Sequence, residues 1–377
     1  MATERTRHRA AEFFAGAGLA RLGLEATGRF DVTWANDIDA DKARLYRARF
    51  GTGPADHLLV RDVDEIDPTE LPTGVDLAWA SFPCTDVSLA GDREGLAGAE
   101  SGTWWAFIDR LRALDELPRV VVAENVLGLA TSNQGRDLEA LLHSLDELDY
   151  LVDVLAIDGR HFVAQSRPRL FIVATRATNG LLESGDGHPA RPTWLTDRLE
   201  RLDVKIFRPD LPALPDGPDT LVGAVEQLAG DDPRWWPRGR VARFERELSA
   251  IQQRRLEAMR TAPGLSWRTA YRRSRAGRPA WEIRADEIAG CLRTVRGGSS
   301  KQAVVEAGAG QVRVRWMTPG EYAALMGAAD YPIDGFRDNQ IYFGFGDAVV
   351  VPAVSWLATH YLDRLLTRPA ADPGRGS

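Results

Sequence analysis

Short apolar runs recur through the first half of the chain, each closing on a polar or glycine-rich junction. The run Ala11-Glu12-Phe13-Phe14 enters Ala15-Gly16-Ala17-Gly18, and Leu19-Ala20-Arg21-Leu22-Gly23-Leu24 then has helical spacing. Asp31 to Asn36, Leu58 to Val60 and Val75 to Ala80 read as strands; they end at Asp37, at Arg61-Asp62-Val63 and at Ser81-Phe82-Pro83-Cys84. Arg119 to Ala123 is β-branched and ends at Glu124-Asn125-Val126. The buried run Leu170 to Ala174 follows an extended segment whose alternation puts Gln165, Arg167 and Arg169 on one face. Strands alternating with helices to about residue 178 predict an α/β fold, a mostly parallel sheet wrapped by helices. Pro and Gly thicken from Ser184 to Asp219 and mark a boundary loop. The expected organisation is a first domain over residues 1–179, a second over 180–334, and a return to the first over 335–369 through a helix from Pro352 to Leu366. Residues 370–377 are expected to be a disordered tail.

The junctions carry the candidate chemistry. A strand, a Gly-x-Gly turn and a helix form the nucleotide-binding arrangement, in which bare backbone lets a cofactor approach the helix. Asp37, about twenty residues on, is placed to accept hydrogen bonds from ribose hydroxyls. Asp62 offers an acid to an adenine amino group. No lysine follows the glycines as in a phosphate-binding loop. An adenosine cofactor without a phosphate requirement fits better, and S-adenosylmethionine is the candidate. Pro83 ends its strand for lack of an amide hydrogen and delivers Cys84 to the mouth of the sheet. Each piece alone has a plain reading: a small buried cysteine, turn glycines, a solvated loop carboxylate, a charged edge strand.

Taken in order, the pieces resemble the DNA (cytosine-5) methyltransferase family from about residue 9 to residue 365. The resemblance rests on Phe14-Ala15-Gly16-Ala17-Gly18, Asp37, Asp62, Pro83-Cys84, Glu124-Asn125-Val126 and Gln165-Ser166-Arg167-Pro168-Arg169. It continues in Arg296-Gly297-Gly298-Ser299-Ser300-Lys301, Arg315-Trp316-Met317-Thr318-Pro319-Gly320-Glu321 and Gly346-Asp347-Ala348-Val349. It implies a Rossmann-like class I S-adenosylmethionine-dependent methyltransferase domain with a smaller target-recognition domain. It also implies Cys84 as the nucleophile that adds to cytosine C6, and Glu124 as the group that holds and protonates N3. Arg167 would contact the base carbonyl, supported by Arg169 and Gln165. The implied cofactor site is Phe14, Ala15, Gly16, Ala17, Gly18, Asp37, Ile38, Asp62, Val63, Pro83, Asp347 and Ala348, with no metal. The target base must leave the duplex for this chemistry. The chain departs from the family pattern at Leu19, where a third glycine is common, and at Thr85-Asp86 after the nucleophile. It also departs at Asp347 in the last motif and at Cys291-Leu292 before the recognition glycines.

Charge sharpens the second domain. The 377 residues carry a net charge of -7, yet residues 231–302 hold seventeen Lys and Arg against eight Asp and Glu, which leaves -16 for the remainder. A basic module on an acidic body suits phosphate binding. Trp235-Trp236-Pro237-Arg238-Gly239-Arg240 and Tyr271 to Arg278 mix arginine with aromatics and glycine; Ala250 to Arg260 reads as a solvated arginine-rich helix. The expected DNA-binding residues are Ser88, Arg272, Arg273, Arg275, Arg293, Arg296, Gly297 and Gly298, and the partner is double-stranded DNA. The two cysteines, Cys84 and Cys291, lack metal-ligand spacing and predict neither a zinc site nor a disulfide framework. The charged start predicts no signal peptide, and no apolar run of transmembrane length is expected. A cytoplasmic location is expected, the resemblance implies a monomer, and restriction or defence-system proteins are the other candidate partners. The competing readings are a tRNA cytosine-5 methyltransferase, a non-catalytic DNA-binding homologue and an amino-methyltransferase. The first has its own recognition signature, not found here. The second loses catalytic positions that this chain retains, and the third needs an Asn/Asp-Pro-Pro-aromatic motif where Phe82-Pro83-Cys84 stands.

Overall fold

The structure is a computed structural model that describes residues 7–53, 56–83, 102–176, 185, 187–275, 277–294 and 301–367. Two compact units divide it: the first holds Met1–Asp158, Pro168–Pro215 and Val351–Ser377, the second Gly159–Arg167 and Asp216–Val350. The boundaries fall at 215/216 and 350/351, whereas the sequence pattern put them at 179/180 and 334/335.

Seven strands of the first unit form one sheet: β1 (His8–Phe13), β2 (Phe30–Asp37), β3 (Leu58–Val60), β4 (Leu77–Ala80), β5 (Val120–Val126), β6 (Leu151–Asp158) and β7 (Pro168–Thr175). Their order is β3-β2-β1-β4-β5-β7-β6. The pairs β3–β2, β2–β1, β1–β4 and β4–β5 are parallel, while β7 runs antiparallel to both its neighbours. The strand order reverses beside β1, between β1 and β4, and open α/β sheets bind ligands at such a switch point. The helices are α1 (Leu19–Glu25), α2 (Ala40–Phe50), α3 (Thr103–Arg112), α4 (Arg136–Asp146), α5 (Thr193–Leu199), α10 (Val351–Leu357) and α11 (Asp363–Thr367). β4 and most of β5 read as continuous apolar runs because both faces of the sheet are covered.

The core of this unit is aromatic as well as aliphatic. Phe13, Trp104 and Phe107 are fully buried, with Phe107 edge-on to Phe13 at 4.9 Å. Gly23 on α1 has no side chain because α10 is there: a Cβ would lie 2.5 Å from Val354. Residues 185–215 join this unit through a buried ion pair. Arg191 donates from Nε and Nη2 to the two oxygens of Asp153, at 3.0 and 2.6 Å, and Tyr361 donates to Asp153 Oδ2 at 2.7 Å. The same guanidinium donates to the carbonyls of Gly185 and Pro209, both at 2.9 Å. Breaking such a pair leaves a buried charge, so the proline-rich stretch is fastened rather than a free linker.

The second unit has a four-stranded antiparallel sheet in the order β11-β10-β8-β9, made of β8 (Ser266–Arg275), β9 (Arg278–Ile283), β10 (Ala303–Gly308) and β11 (Gln311–Trp316). Around it lie α6 (Arg238–Arg246), α7 (Ala250–Thr261), α8 (Pro319–Leu325) and α9 (Asp338–Gly346). Trp236, Phe244, Trp281 and Val305 build its core. Thr318 caps α8 in a capping box with Glu321, which also accepts from the buried Arg315 at 2.8 Å. The helical run Asp338–Thr367 is long and apolar enough to cross a membrane by length and composition alone. Its most apolar window is 72% buried inside the protein, as a core helix would be.

Candidate active site

The carboxyl ends of β1, β2 and β4 in the first unit bring most of the expected cofactor residues together. At the end of β1 the chain turns sharply, with Phe14 at φ 57°, Gly16 at φ 57° and Gly18 at φ 77°. A positive φ is ordinary for glycine and costs a phenylalanine about 1–3 kcal/mol. Gly18 is also required sterically, because a Cβ would lie 2.4 Å from Phe50 and 2.8 Å from Tyr46. At Gly16, among the described residues, a Cβ would have only Lys42 Cδ within reach, at 3.9 Å.

Asp37 holds this turn. Its Oδ2 accepts from the Gly16 amide at 2.7 Å and its Oδ1 from the Asp39 amide at 2.8 Å. Two backbone amides thus fix the carboxylate at the carboxyl end of β2, beside the glycine turn. Ile38 beside it is 65% exposed, an apolar side chain left in solvent at the mouth of the sheet. Asp62 begins a short 3-10 turn and accepts from the Asp64 amide at 3.2 Å, while Val63 is buried. Leu19, at the place of the missing third glycine, is 1% exposed and opens α1.

Glu12 on β1 is a buried acid that the sequence pattern passed over. It is 1% exposed; Oε1 accepts from the Arg21 amide at 3.2 Å, and Oε2 has no hydrogen-bond partner. Burial pushes its carboxyl up to about 8, against the opposing pull of the Arg21 amide and charge. An acid inside an otherwise apolar strand was the available signal.

β4 ends at Ala80, and its exit is pinned by two side chains. Trp79 donates to Ser81 Oγ at 2.9 Å, and Asn125 donates from Nδ2 to the Phe82 carbonyl at 3.2 Å. Phe82 packs on Trp104 at 5.0 Å, and the exposed Pro83 follows. Cys84 and Ser88 lie outside the described residues, as do Thr85 and Asp86. Glu124 is the neighbour of Asn125 on β5 and is 4% exposed. Arg169 Nε lies 3.0 Å from Glu124 Oε1. The register sets this up: Glu124 pairs with Phe171 and Val126 with Arg169, so the two charged groups are diagonal on one face.

The expectation that Gln165, Arg167 and Arg169 act as one face is corrected by the structure. β7 begins at Pro168, so only Arg169 is in the sheet; Gln165 and Arg167 belong to the second unit. Arg167 is 1% exposed, and its guanidinium donates to the carbonyls of Leu292 at 2.7 Å, Gly346 at 3.0 Å and Ala348 at 2.6 Å. A side chain buried against three carbonyls is not free to bind a base carbonyl. Gln165 is equally committed, donating to the Leu325 carbonyl at 2.7 Å and accepting from the Leu292 amide at 3.0 Å. Cys291 Sγ lies 3.3 Å from Arg167 Nη1. Asp347 and Ala348 sit at the end of α9 in the second unit, where Ala348 is one of the carbonyls held by Arg167.

Of the expected DNA-binding residues, Arg296, Gly297 and Gly298 lie outside the described residues, and Arg293 is exposed. Arg272, Arg273 and Arg275 occupy the outer end of β8. Arg272 pairs with Glu247 at 3.5 Å, Arg273 with Glu282 at 3.6 Å, and Arg275 with Glu282.

A family model for C-5 cytosine-specific DNA methylase matches residues 8–362. The chain belongs to this family. Among its relatives, a Type II methyltransferase, M.Bsp6I of Bacillus sp. (strain RFL6), is 31% identical over 169 residues, which is 44% of this chain and 51% of that protein. The Type II methyltransferase M1.ScrFI of Lactococcus lactis subsp. cremoris is 24% identical over 94% of this chain and 78% of its own length. The match therefore spans about half of the first relative and most of the second. Among solved structures, the Entamoeba histolytica methyltransferase EhMeth superposes with a TM-score of 0.62 at 14% identity, covering 96% of this chain and 99% of that one. At that identity the likeness concerns the fold, and it agrees with the Rossmann-like methyltransferase sheet.

Proposed function

We propose that the protein is an S-adenosylmethionine-dependent DNA (cytosine-5) methyltransferase that acts on a base flipped out of duplex DNA. One observation carries the reading: Glu124, buried and paired with Arg169 of β7, is on β5, the strand next to the one that leads into Pro83-Cys84, and Asn125 fastens that exit. An acid and a planar cation on one face suit the N3 and O2 edge of a cytosine ring. Arg169, rather than Arg167, is the group available to the base carbonyl.

The residues around the glycine turn fit the cofactor. No described residue crowds Gly16, Asp37 is held beside the turn where ribose hydroxyls would lie, and the exposed Ile38 offers an apolar face to an adenine ring. Phe14, Ala15, Ala17 and Gly18 shape the turn, while Asp62 and Val63 border the adenine end. When bound, S-adenosylmethionine supplies an electrophilic methyl group. Cys84, as a thiolate, would add to C6 and make C5 nucleophilic. Glu124 would hold a proton at N3 and offset the charge that builds during addition. Arg169 would fix the ring through its carbonyl oxygen, and loss of the C5 proton would then release Cys84 by elimination. A Type II restriction–modification setting is the reading supported by what the relatives are called.

The test is conversion-based cytosine sequencing of DNA from a methylation-free host that expresses this chain, beside a Cys84→Ser control. Protected cytosines in one recurring short sequence, absent in the control, are expected. Complete conversion, together with methyl transfer to tRNA, would replace the DNA reading by the tRNA one.

A further inference from the structure

Most arginines of the second unit face an acid. Arg243 pairs with Glu247 at 2.8 Å, Arg260 with Glu245 at 2.6 Å and Arg268 with Glu287 at 2.7 Å; Arg313 pairs with Glu306. Even the arginines at the tip of β8 are paired in this way. Such pairs neutralise one another and leave little field for a phosphate.

Arg240 and Lys301 are built differently. Arg240 lies over the Trp236 ring at 4.0 Å and over Trp316 at 5.1 Å. Lys301 Nζ lies 5.6 Å from the same Trp316 ring and 4.4 Å from Tyr342. Trp236 and Trp316 meet edge to face at 5.0 Å and form the floor under both cations. Neither cation pairs with a carboxylate among the described residues. No acid lies in the first turn of α6, which carries Arg238 as well as Arg240.

Two like charges sharing one ring repel each other. Their aromatic contacts offset part of that repulsion. Burial alone lowers Arg240; at Lys301 burial is the main lowering cause, the Asp338 carboxylate pulls upward, and the Arg240 charge pushes down by less than that pull. A bound anion would relieve both. Arg240 is exposed, and a side chain added at the adjacent Gly239 would meet no described atom within 4 Å. Lys301 also follows directly on Arg296-Gly297-Gly298-Ser299-Ser300, the segment that the family resemblance assigns to the target-recognition part.

We propose that Arg240 and Lys301, held on the Trp236–Trp316 floor, form a binding site for backbone phosphate of duplex DNA. The inference rests on the reading of the chain as a DNA methyltransferase and assigns phosphate contact to residues outside the β8 tip. The aromatic floor fixes both cations before binding, which lowers the ordering cost of the contact. A phosphate site of this kind positions the duplex and carries no base information.

The experiment compares the salt dependence of duplex DNA binding for the wild type, Arg240→Gln, Lys301→Gln and the double variant, with duplex RNA of equal length as a second ligand. Each phosphate contact contributes about 0.9 to the slope of log K against log salt. Each single variant is expected to lose about one from the slope and the double variant about two. Arg240→Lys with Lys301→Arg should restore it. Glutamine keeps much of the alkyl stem, and S-adenosylmethionine binding by the variants reports whether the fold is intact. Wild-type binding and methylation of DNA with an unchanged slope in the double variant would overturn this site and leave the enzyme reading standing. A slope loss seen with RNA and not with DNA would overturn the choice of ligand. Absence of DNA binding by the wild type would overturn both readings.

Discussion

Arg169 and Glu124 face each other diagonally across the β5–β7 pairing, Nε 3.0 Å from Oε1, with side chains only 12% and 5% exposed. The pair joins a buried acid of β5 to a cation on the adjacent strand β7. Arg167, two residues earlier, turns instead into the second unit and ends on three carbonyls.

This difference predicts opposite phenotypes for two conservative changes. Arg169→Lys keeps the charge and loses the planar fork. It should lower kcat/KM roughly tenfold to a hundredfold while changing stability by less than about 1 kcal/mol. Arg167→Lys cannot satisfy three carbonyls with one ammonium and should cost about 2–4 kcal/mol of stability, by the ordinary penalty for unpaired buried groups. Thermal melts and steady-state kinetics on both variants check this; equal melting-temperature losses would remove the distinction.

Cys84→Ser should abolish methyl transfer and leave S-adenosylmethionine binding within about twofold, because an alcohol at neutral pH is a far weaker nucleophile than a thiolate. The measurements are methyl incorporation and cofactor titration on the same preparation. Retained turnover would place the nucleophile elsewhere.

How far the sequence carried the reading depends on whether a contact is local. The β1 turn, Asp37 and the strand exit at Pro83 were legible because proline, glycine and strand ends act on their own backbone. The split between Arg167 and Arg169 was not, since alternation treats a segment as one extended face while this one leaves the sheet at Pro168. The boundary at 215 was hidden for a similar reason. A proline-rich stretch reads as a linker, and only the fold shows Arg191 reaching Asp153, 38 residues away in sequence. The pairing of Arg272, Arg273 and Arg275 with Glu247 and Glu282 likewise depends on strand register and helix placement.

That pairing bears on the β8 arginines directly. Replacing Arg272, Arg273 and Arg275 together by alanine should weaken DNA binding and flatten its salt dependence. The slope should change by clearly less than the roughly 2.7 that three free cations would give, since a phosphate there must compete with Glu247 and Glu282. A full change would mean that those acids release their partners at no cost.

Glu12 predicts a pH effect. Its folded value of about 8 lies above the ordinary 4.5, so between those limits the native state binds the extra proton. Stability is then highest at the acid end and falls as pH rises, at up to about 1.4 kcal/mol per pH unit within the window. Glu12→Gln, which stays neutral, should gain on the wild type from about pH 5 to pH 8 and run parallel to it outside that range. Denaturant unfolding of the two proteins across pH measures the difference. A constant offset would mean that the carboxyl ionises normally.

Ile38 separates cofactor binding from folding. Its side chain is 65% exposed beside an aspartate that already holds the glycine turn, so Ile38→Asp should leave the unliganded melting temperature within about a degree. An added carboxylate where an adenine ring is expected to rest removes apolar contact and brings no partner. S-adenosylmethionine affinity should fall roughly tenfold to a hundredfold, and at fixed cofactor the stabilisation on binding should shrink by about 1.4–2.7 kcal/mol. Gly18→Ala should do the reverse, lowering the unliganded melting temperature because its Cβ meets Phe50 and Tyr46 at a positive φ. Comparing the two melts with and without cofactor decides whether the exposed residue just after β2 or only the glycine turn contributes to the binding site.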